Sequence, residues 1–149
     1  MFRCAACGAF NRVRDPPPPG QPTCGRCQRP LALSGAPQEV DLEALDRAVN
    51  SSPIPVLLDL WAPWCPPCRM VAPVLESMGH AQAGRLLVLK LNTDDHPQAS
   101  SRFGVRGIPT FVVFSGGREV GRQSGAMPQA AMEQWVRSVL ASGAPGTPA

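Results

Sequence analysis

Three Cys-x-x-Cys pairs occur in this chain of 149 residues: Cys4/Cys7, Cys24/Cys27 and Cys65/Cys68. No other feature limits the fold as much, because each pair has to close a tight local turn whichever chemistry it serves. Sixteen residues separate the first two pairs, and between them lies the run DPPPPGQP (15–22). Such a run excludes a helix interior or a central strand. The third pair stands alone, just after VLLDLWA (56–62), a dense apolar run of the kind that forms a buried strand. One spacing therefore has to serve different chemistries in different surroundings.

The first four cysteines suit a metal. Each short pair wraps a turn around one ion, and the intervening loop brings the pairs together. Four thiolates at Cys4, Cys7, Cys24 and Cys27 match tetrahedral Zn²⁺ in a structural role, with no coordination position left for water. Gly8 and Gly25 are expected to supply permissive backbone in the two turns. Two redox dithiols or inert thiols are the other readings of the same spacing. The segment has too few apolar residues to fold alone, so the metal is expected to supply much of its order. His80 and His96 are isolated in the sequence and are assigned to no metal.

Charge separates this head from the rest. Residues 1–33 carry five arginines against Asp15, whereas the remainder carries nine basic and ten acidic residues. The arginines can offset part of the charge of a four-thiolate site. A formal charge of +3, with no recognition helix evident in the head and no basic stripe beyond it, gives no reason to expect a nucleic-acid partner. No stretch reaches eighteen continuous apolar residues, so no membrane span is expected. MFRCAACGAFNRVRD lacks the apolar run of a signal peptide, and a cytoplasmic location is expected. In that compartment six cysteines point to metal or redox chemistry rather than a disulfide framework.

Beyond the head, EVDLEALDRAVNSS (39–52) places Leu42, Leu45 and Val49 at helical spacing, and SPIP stops it. A strand over 56–62 leads to a helix from about Cys65 to Ala83, which Pro73 is expected to kink or interrupt. RLLVLKLN (85–92) reads as a second buried strand. DDHPQASSRFG starts with aspartate and ends with glycine, as a short helix does. TFVVFS (110–115), Gly116-Gly117 and REVGRQSG form a hairpin. The closing helix presents Met132, Trp135, Val136, Val139 and Leu140 on one face, with Pro128 near its start. The fold class is α/β, a central mixed sheet flanked by helices on both faces. The expected division is a four-cysteine metal segment over 1–33, a main domain over 38–142 and a flexible tail over 143–149.

Cys65 and Cys68 follow a buried strand and open a helix, a context for dithiol–disulfide exchange. Unpaired amides and the helix dipole stabilise a thiolate there. Cys65 is expected to be the more exposed nucleophile, and Cys68 to resolve the mixed disulfide. A structural disulfide, or a metal shared with the head, are the other readings. Pro66 and Pro67 both fit the first helical turn. Asp59, a lone carboxylate in VLLDL, is expected to point under the helix start with a raised pKa and to accept the Cys68 proton; otherwise it faces solvent. Trp61 and Trp64 flank the pair, either filling core or shielding the sulfur from water.

DLWAPWCPPCRMVAPVLE, LVLKLNTDDHP and FGVRGIPTFVVFSGGREVGRQSGAMP, with the terminal helix, resemble the thioredoxin family through residues 38–142. The Cys4/Cys7/Cys24/Cys27 head resembles its zinc-containing second bacterial type. The resemblance implies a thioredoxin fold and a protein-disulfide reductase with no tightly bound organic cofactor. Its partners would be disulfide-containing proteins and an NADPH-dependent thioredoxin reductase. It assigns the nucleophile to Cys65, the resolving thiol to Cys68 and the buried proton acceptor to Asp59, with Lys90 as charge partner across neighbouring strands. Ile108-Pro109 becomes a cis-proline loop against the active sulfur. Trp64, Pro66, Val105, Arg106, Gly107, Ile108, Gly125 and Ala126 become the docking surface, and Pro73 the kink proline of the long helix. The family's usual Gly-Pro between the cysteines is Pro66-Pro67 here, which leaves the potential and the preferred reductase open. A disulfide oxidant or isomerase is thus an alternative. A zinc-stabilised holdase, motivated by the basic head, is another.

Overall fold

The computed structural model describes residues 1–142. Its elements, in chain order, are β1 (Phe2–Arg3), β2 (Phe10–Asn11), β3 (Gln38–Glu39), α1 (Leu42–Ser51), β4 (Val56–Trp61), α2 (Pro66–Ala81), β5 (Leu87–Asn92), α3 (Gln98–Phe103), β6 (Thr110–Ser115), β7 (Arg118–Ser124) and α4 (Gln129–Ser142). The larger sheet has the order β3-β5-β4-β6-β7. β4 is central, parallel to β5 on one side and antiparallel to β6 on the other.

Successive side chains of a strand leave opposite faces, and that period divides the core in two. Leu58, Leu60, Leu89, Leu91, Val112 and Phe114 meet Leu45 and Ala48 of α1 and Ala99 of α3 on one face. Leu57, Val88, Phe111 and Val113 meet Val71, Leu75 and Met78 of α2 and Met132 and Val136 of α4 on the other. Both faces are covered by helices, as the strand pattern implies. The expected apolar stripe of the last helix is present, with Trp135, Val139 and Leu140 packed around its buried pair.

Element boundaries differ from expectation in three places. The helix expected over 39–52 begins at Leu42, because the Asp41 carboxylate accepts from the Ala44 amide at 2.7 Å and caps it there. Gln38 and Glu39 before it form β3, pairing in parallel with Leu89 and Lys90. The short α3 has no aspartate cap; it follows Pro97, with no capping side chain, and ends at Gly104. α2 runs unbroken across Pro73, and only the bond its missing amide would have made is lost. The tail expected over 143–149 lies outside the described residues. No helix among the described residues is long and apolar enough to cross a membrane.

The head is a small ribbon, with β1 and β2 antiparallel and a bridge between Thr23 and Pro30. Its two cysteine turns follow one plan. The Gly8 amide donates to the Cys4 carbonyl at 2.7 Å, and the Gln28 amide to the Cys24 carbonyl at 2.9 Å. Both donors lie in the left-handed region, at φ +82° and +67°. The special residue of the second turn is therefore Gln28, and Gly25, expected in that part, is not left-handed.

Several contacts hold the ribbon and its linker to the rest of the fold, among them Phe10 of β2 packed on the α1 face of the sheet and the Met1 amine donating to the Gly84 carbonyl at 2.9 Å. The Arg3 guanidinium donates to the Gln38 side-chain oxygen at 2.6 Å, and the Gln38 amide donates back to the Arg3 carbonyl at 3.0 Å. Gly35 and Gly79 also touch backbone to backbone, so closely that a Cβ on either would overlap the other's carbonyl oxygen. Alanine in a helix is intrinsically favoured over glycine by about 1 kcal/mol, whereas forced overpacking costs about 1–3 kcal/mol. A rigid carbonyl cannot rotate aside, so the collision decides the sign. Gly79→Ala is expected to lower stability by roughly 1–2 kcal/mol in a denaturant melt. Unchanged or raised stability would show that the linker does not seat on α2.

Candidate dithiol site and candidate metal centre

β4 delivers the chain to α2 through Ala62, which is fully buried. Cys65 is the N-cap of α2, and its sulfur accepts from the Cys68 amide at 3.2 Å. Pro66 and Pro67 fill the first two helical positions. Neither has an N–H, so Cys68 supplies the first amide that can face the sulfur. Cys65 and Cys68 form a disulfide with Cα atoms 5.3 Å apart, which excludes a metal shared with the head in this state.

The expectation that Cys65 is the more exposed of the two does not hold in this state. Cys65 is 2% and Cys68 3% exposed. The asymmetry lies in what each sulfur-bearing residue faces. Cys65 lines an open groove of about 370 Å³ with Trp64, Pro66, Val105, Arg106, Gly107 and Ile108. Cys68 starts the buried stripe that continues through Val71, Leu75 and Met78 onto the sheet. The Ile108-Pro109 peptide is cis, and the Ile108 carbonyl oxygen lies 3.7 Å from the Cys65 sulfur. The buried Thr110 hydroxyl donates to the Gly107 carbonyl at 2.6 Å, and the Gly125 amide donates to the Pro109 carbonyl at 2.8 Å. These bonds fix the loop against the end of β7. Gly125 and Ala126 are exposed beside it but are not among the residues lining the groove.

Trp64 is 64% exposed, and its indole N–H donates to the Asp94 carboxylate at 3.1 Å. Asp94 and the groove-lining Thr93 are site neighbours that sequence reasoning missed. Their only signal was the polar TDD directly after a buried strand, which read as the start of a helix.

Asp59 is 1% exposed, so the solvent-facing reading is overturned. It shares the α2 face of β4 with Leu57. Neither carboxylate oxygen has a hydrogen-bond partner among the described residues. Burial pushes its pKa up to about 7; Lys90 opposes that rise and Glu39 adds to it. Lys90 is the register partner of Asp59 on β5. Its ammonium nevertheless sits 4.2 Å from the centroid of the Trp61 ring. The ion pairs among the described residues are Glu43–Arg47, Asp46–Arg102 and Glu119–Arg122. Lys90 therefore acts on Asp59 through its field, without direct contact.

The four head cysteines converge. Cys4 and Cys27 sulfurs are 3.7 Å apart, Cys7 and Cys24 sulfurs 3.6 Å, and all four lie within 4.8 Å of one another. A tetrahedron with metal–sulfur bonds of about 2.3 Å has edges of about 3.8 Å, so this set can hold a metal ion. The Arg26 amide and the Asn11 side-chain amide point at the Cys24 sulfur at 3.4 and 3.5 Å. Such donors steady a thiolate ligand. His80 and His96 are not in the cluster.

The family model described as thioredoxin matches residues 36–138. "Thioredoxin 1" of Nostoc sp. is 44% identical over 108 residues, covering 72% of this chain and 100% of that protein. "Thioredoxin C-3" of Corynebacterium nephridii is 38% identical over 137 residues, covering 92% of this chain and 93% of that protein. A match of that span reaches into the four-cysteine head. Among solved structures, a mutant thioredoxin from Halobacterium salinarum aligns with a TM-score of 0.65 and 33% identity. It covers 72% of this chain and 94% of its own.

The raised pKa of Asp59 has a stability signature. The unfolded carboxyl ionises near 3.8 and the folded one near 7. Between those values the folded state binds more protons, so stability falls as pH rises through the window. A rise of about 3 units at about 1.4 kcal/mol each sets an upper bound of about 4 kcal/mol. Asp59→Asn is expected to remove most of that decline, leaving the variant more stable than the parent at pH 8 and closer to it at pH 4. Parallel stability–pH curves for the two proteins would contradict the burial argument.

Proposed function

The chain belongs to the thioredoxin family and is a thiol–disulfide oxidoreductase, and from that premise we propose that it reduces protein disulfides with the Cys65/Cys68 pair. The observation that carries this reading is the disulfide at the N-terminus of α2, with Cys65 facing an open groove and Cys68 turned toward the sheet.

In the reduced protein the Cys65 thiolate attacks one sulfur of a substrate disulfide. The substrate S–S bond breaks, a Cys65–substrate disulfide forms, and one substrate thiolate leaves and takes a proton. Cys68 then gives its proton to the Asp59 carboxylate and attacks the Cys65 sulfur. That step releases the second substrate thiol and forms the Cys65–Cys68 disulfide. Two electrons have passed from dithiol to substrate. A carboxyl held near neutrality by burial can both accept and return a proton at physiological pH, which supports Asp59 in this role. Lys90 tunes it. The Ile108-Pro109 loop, with Trp64, Pro66, Val105, Arg106 and Gly107, receives the extended chain around the substrate disulfide, and Gly125 and Ala126 extend that surface.

A thioredoxin reductase is the partner the family implies, and in this reading it draws on NADPH to restore the dithiol in the cytoplasm. The head, residues 1–33, binds one structural Zn²⁺ through Cys4, Cys7, Cys24 and Cys27. The ion would neutralise their converging charge and hold the ribbon closed; the exchange proceeds in the domain over 38–142. A disulfide oxidant or isomerase is the second reading, favoured by Pro66. Its missing amide beside Cys65 alters what stabilises the thiolate.

Cys65→Ser is expected to bring turbidimetric insulin reduction down to background. Cys68→Ser should still attack, and should accumulate one covalently linked insulin chain per protein by mass spectrometry. Wild-type activity in Cys65→Ser would overturn this assignment.

A further inference from the structure

β3 is only two residues long, and its register is unambiguous. Gln38 lies opposite Leu89 and Glu39 opposite Lys90. Lys90 in turn lies opposite Asp59 on β4. Side chains opposite one another on adjacent strands leave the sheet on the same side. Glu39, Lys90 and Asp59 therefore form one row across three strands, on the face that α2 covers. A carboxylate stands at each end and a single ammonium between them. The Arg3–Gln38 brace holds β3 in that register from its other side.

The ammonium is committed to neither end. Lys90 lies over the Trp61 ring and forms no ion pair with Asp59 or Glu39. Trp61, two residues along β4 from Asp59, has a buried indole N–H without a partner in hydrogen-bond range among the described residues. The same indole is one of the groups that favour the ionised Glu39 carboxylate. Glu39 is itself exposed at the sheet edge.

We propose that Glu39 is a positioning residue for the exchange reaction: from the edge strand it draws on the Lys90 ammonium that would otherwise serve Asp59, and so controls how readily Asp59 gives up and takes back its proton. This inference rests on the reading of Asp59 as the proton acceptor.

The charged and titratable groups around Asp59 are few. β5 brings Lys90 and β3 brings Glu39, while α2, which covers the same face, opens with the Cys65–Cys68 disulfide. β6 brings only Phe111 opposite. Burial is the largest influence on Asp59, Lys90 opposes it, and Glu39 reinforces it. On Glu39, burial raises the carboxyl and Lys90 is the leading opposition, followed by Trp61, with Asp95 and His96 acting in opposite senses. Lys90 thus favours the ionised form of both carboxylates, and Glu39 adds its own repulsion on Asp59. Loss of the Glu39 charge lowers the pKa of Asp59. Solvent screening at the exposed edge keeps that change modest, about half a pH unit.

The test uses the full chain as wild type, Glu39→Gln, Glu39→Asp and Asp59→Asn. The Asp59 carboxyl carbon is titrated by ¹³C NMR, and the rate of insulin reduction is followed against pH. Glu39→Gln is expected to lower the Asp59 midpoint by about half a unit and to move the corresponding limb of the rate profile to lower pH by the same amount. Glu39→Asp, which keeps the charge, should restore most of both. Asp59→Asn should abolish that limb. An Asp59 midpoint that stays in place in Glu39→Gln, while Asp59→Asn still abolishes the limb, overturns the role of Glu39 alone. A wild-type rate profile in Asp59→Asn overturns the acceptor reading, and with it this inference.

Discussion

Burying Asp59 removes a carboxylate from water and gives it no hydrogen bond from the described residues in return, a cost of several kcal/mol if the group stayed charged. The surrounding strand is built to bear it. Leu57, Leu58 and Leu60 on β4 and the facing Phe111 are all fully buried, and two helical layers pack on the same strand. The protein limits the remaining cost by letting the carboxyl stay neutral until the pH nears 7. Stability and chemistry are therefore set by one group. A carboxyl that ionised at its usual pH would cost the fold little, but it would hold protons poorly under the conditions in which the dithiol works.

The three Cys-x-x-Cys pairs show how surroundings divide one spacing into two arrangements. In the head, each turn closes on its own amides and presents its sulfurs to the other turn, so four sulfurs end within 4.8 Å of one another. The third pair has no such partner. It sits where a buried strand meets a helix N-terminus, with one cysteine on a groove and the other on the core. Four converging thiolates repel unless a cation joins them. Two thiols at a helix start have a simpler outlet, the bond to each other.

Long apolar runs made most of the fold legible. VLLDLW, LVLKLN and TFVVFS are each buried on two faces, and a continuous run of that length has few other uses. The glycine pair and the period of α4 were equally plain. What stayed hidden was held by contacts distant in sequence. β3 depends on Arg3, 35 residues away, gripping Gln38, and nothing in the residues around Gln38 announces a strand. Asp94 read as a helix cap because that is the common use of an aspartate before a helix; its carboxylate is taken up by Trp64 instead. The left-handed Gln28 was missed because glycine is the usual occupant of such a position. Asp59 was legible as a lone carboxylate in an apolar run and Lys90 as its partner only through the family resemblance, whereas the stacking of Lys90 on Trp61 and the second carboxylate across the strand required the register.

In the proposed division of labour the head sulfurs hold a metal while the α2 sulfurs cycle. A single redox titration with metal quantification tests it directly. The full chain is equilibrated across thiol–disulfide buffers of graded potential, free thiols are trapped by alkylation and mapped by peptide mass, and bound zinc is measured in the same samples. Cys65 and Cys68 are expected to interconvert as one two-electron couple. One equivalent of zinc stays bound, and Cys4, Cys7, Cys24 and Cys27 stay unoxidised across that range. Oxidation of the head cysteines in step with Cys65 and Cys68, or a fully reduced protein that binds no zinc, would contradict it.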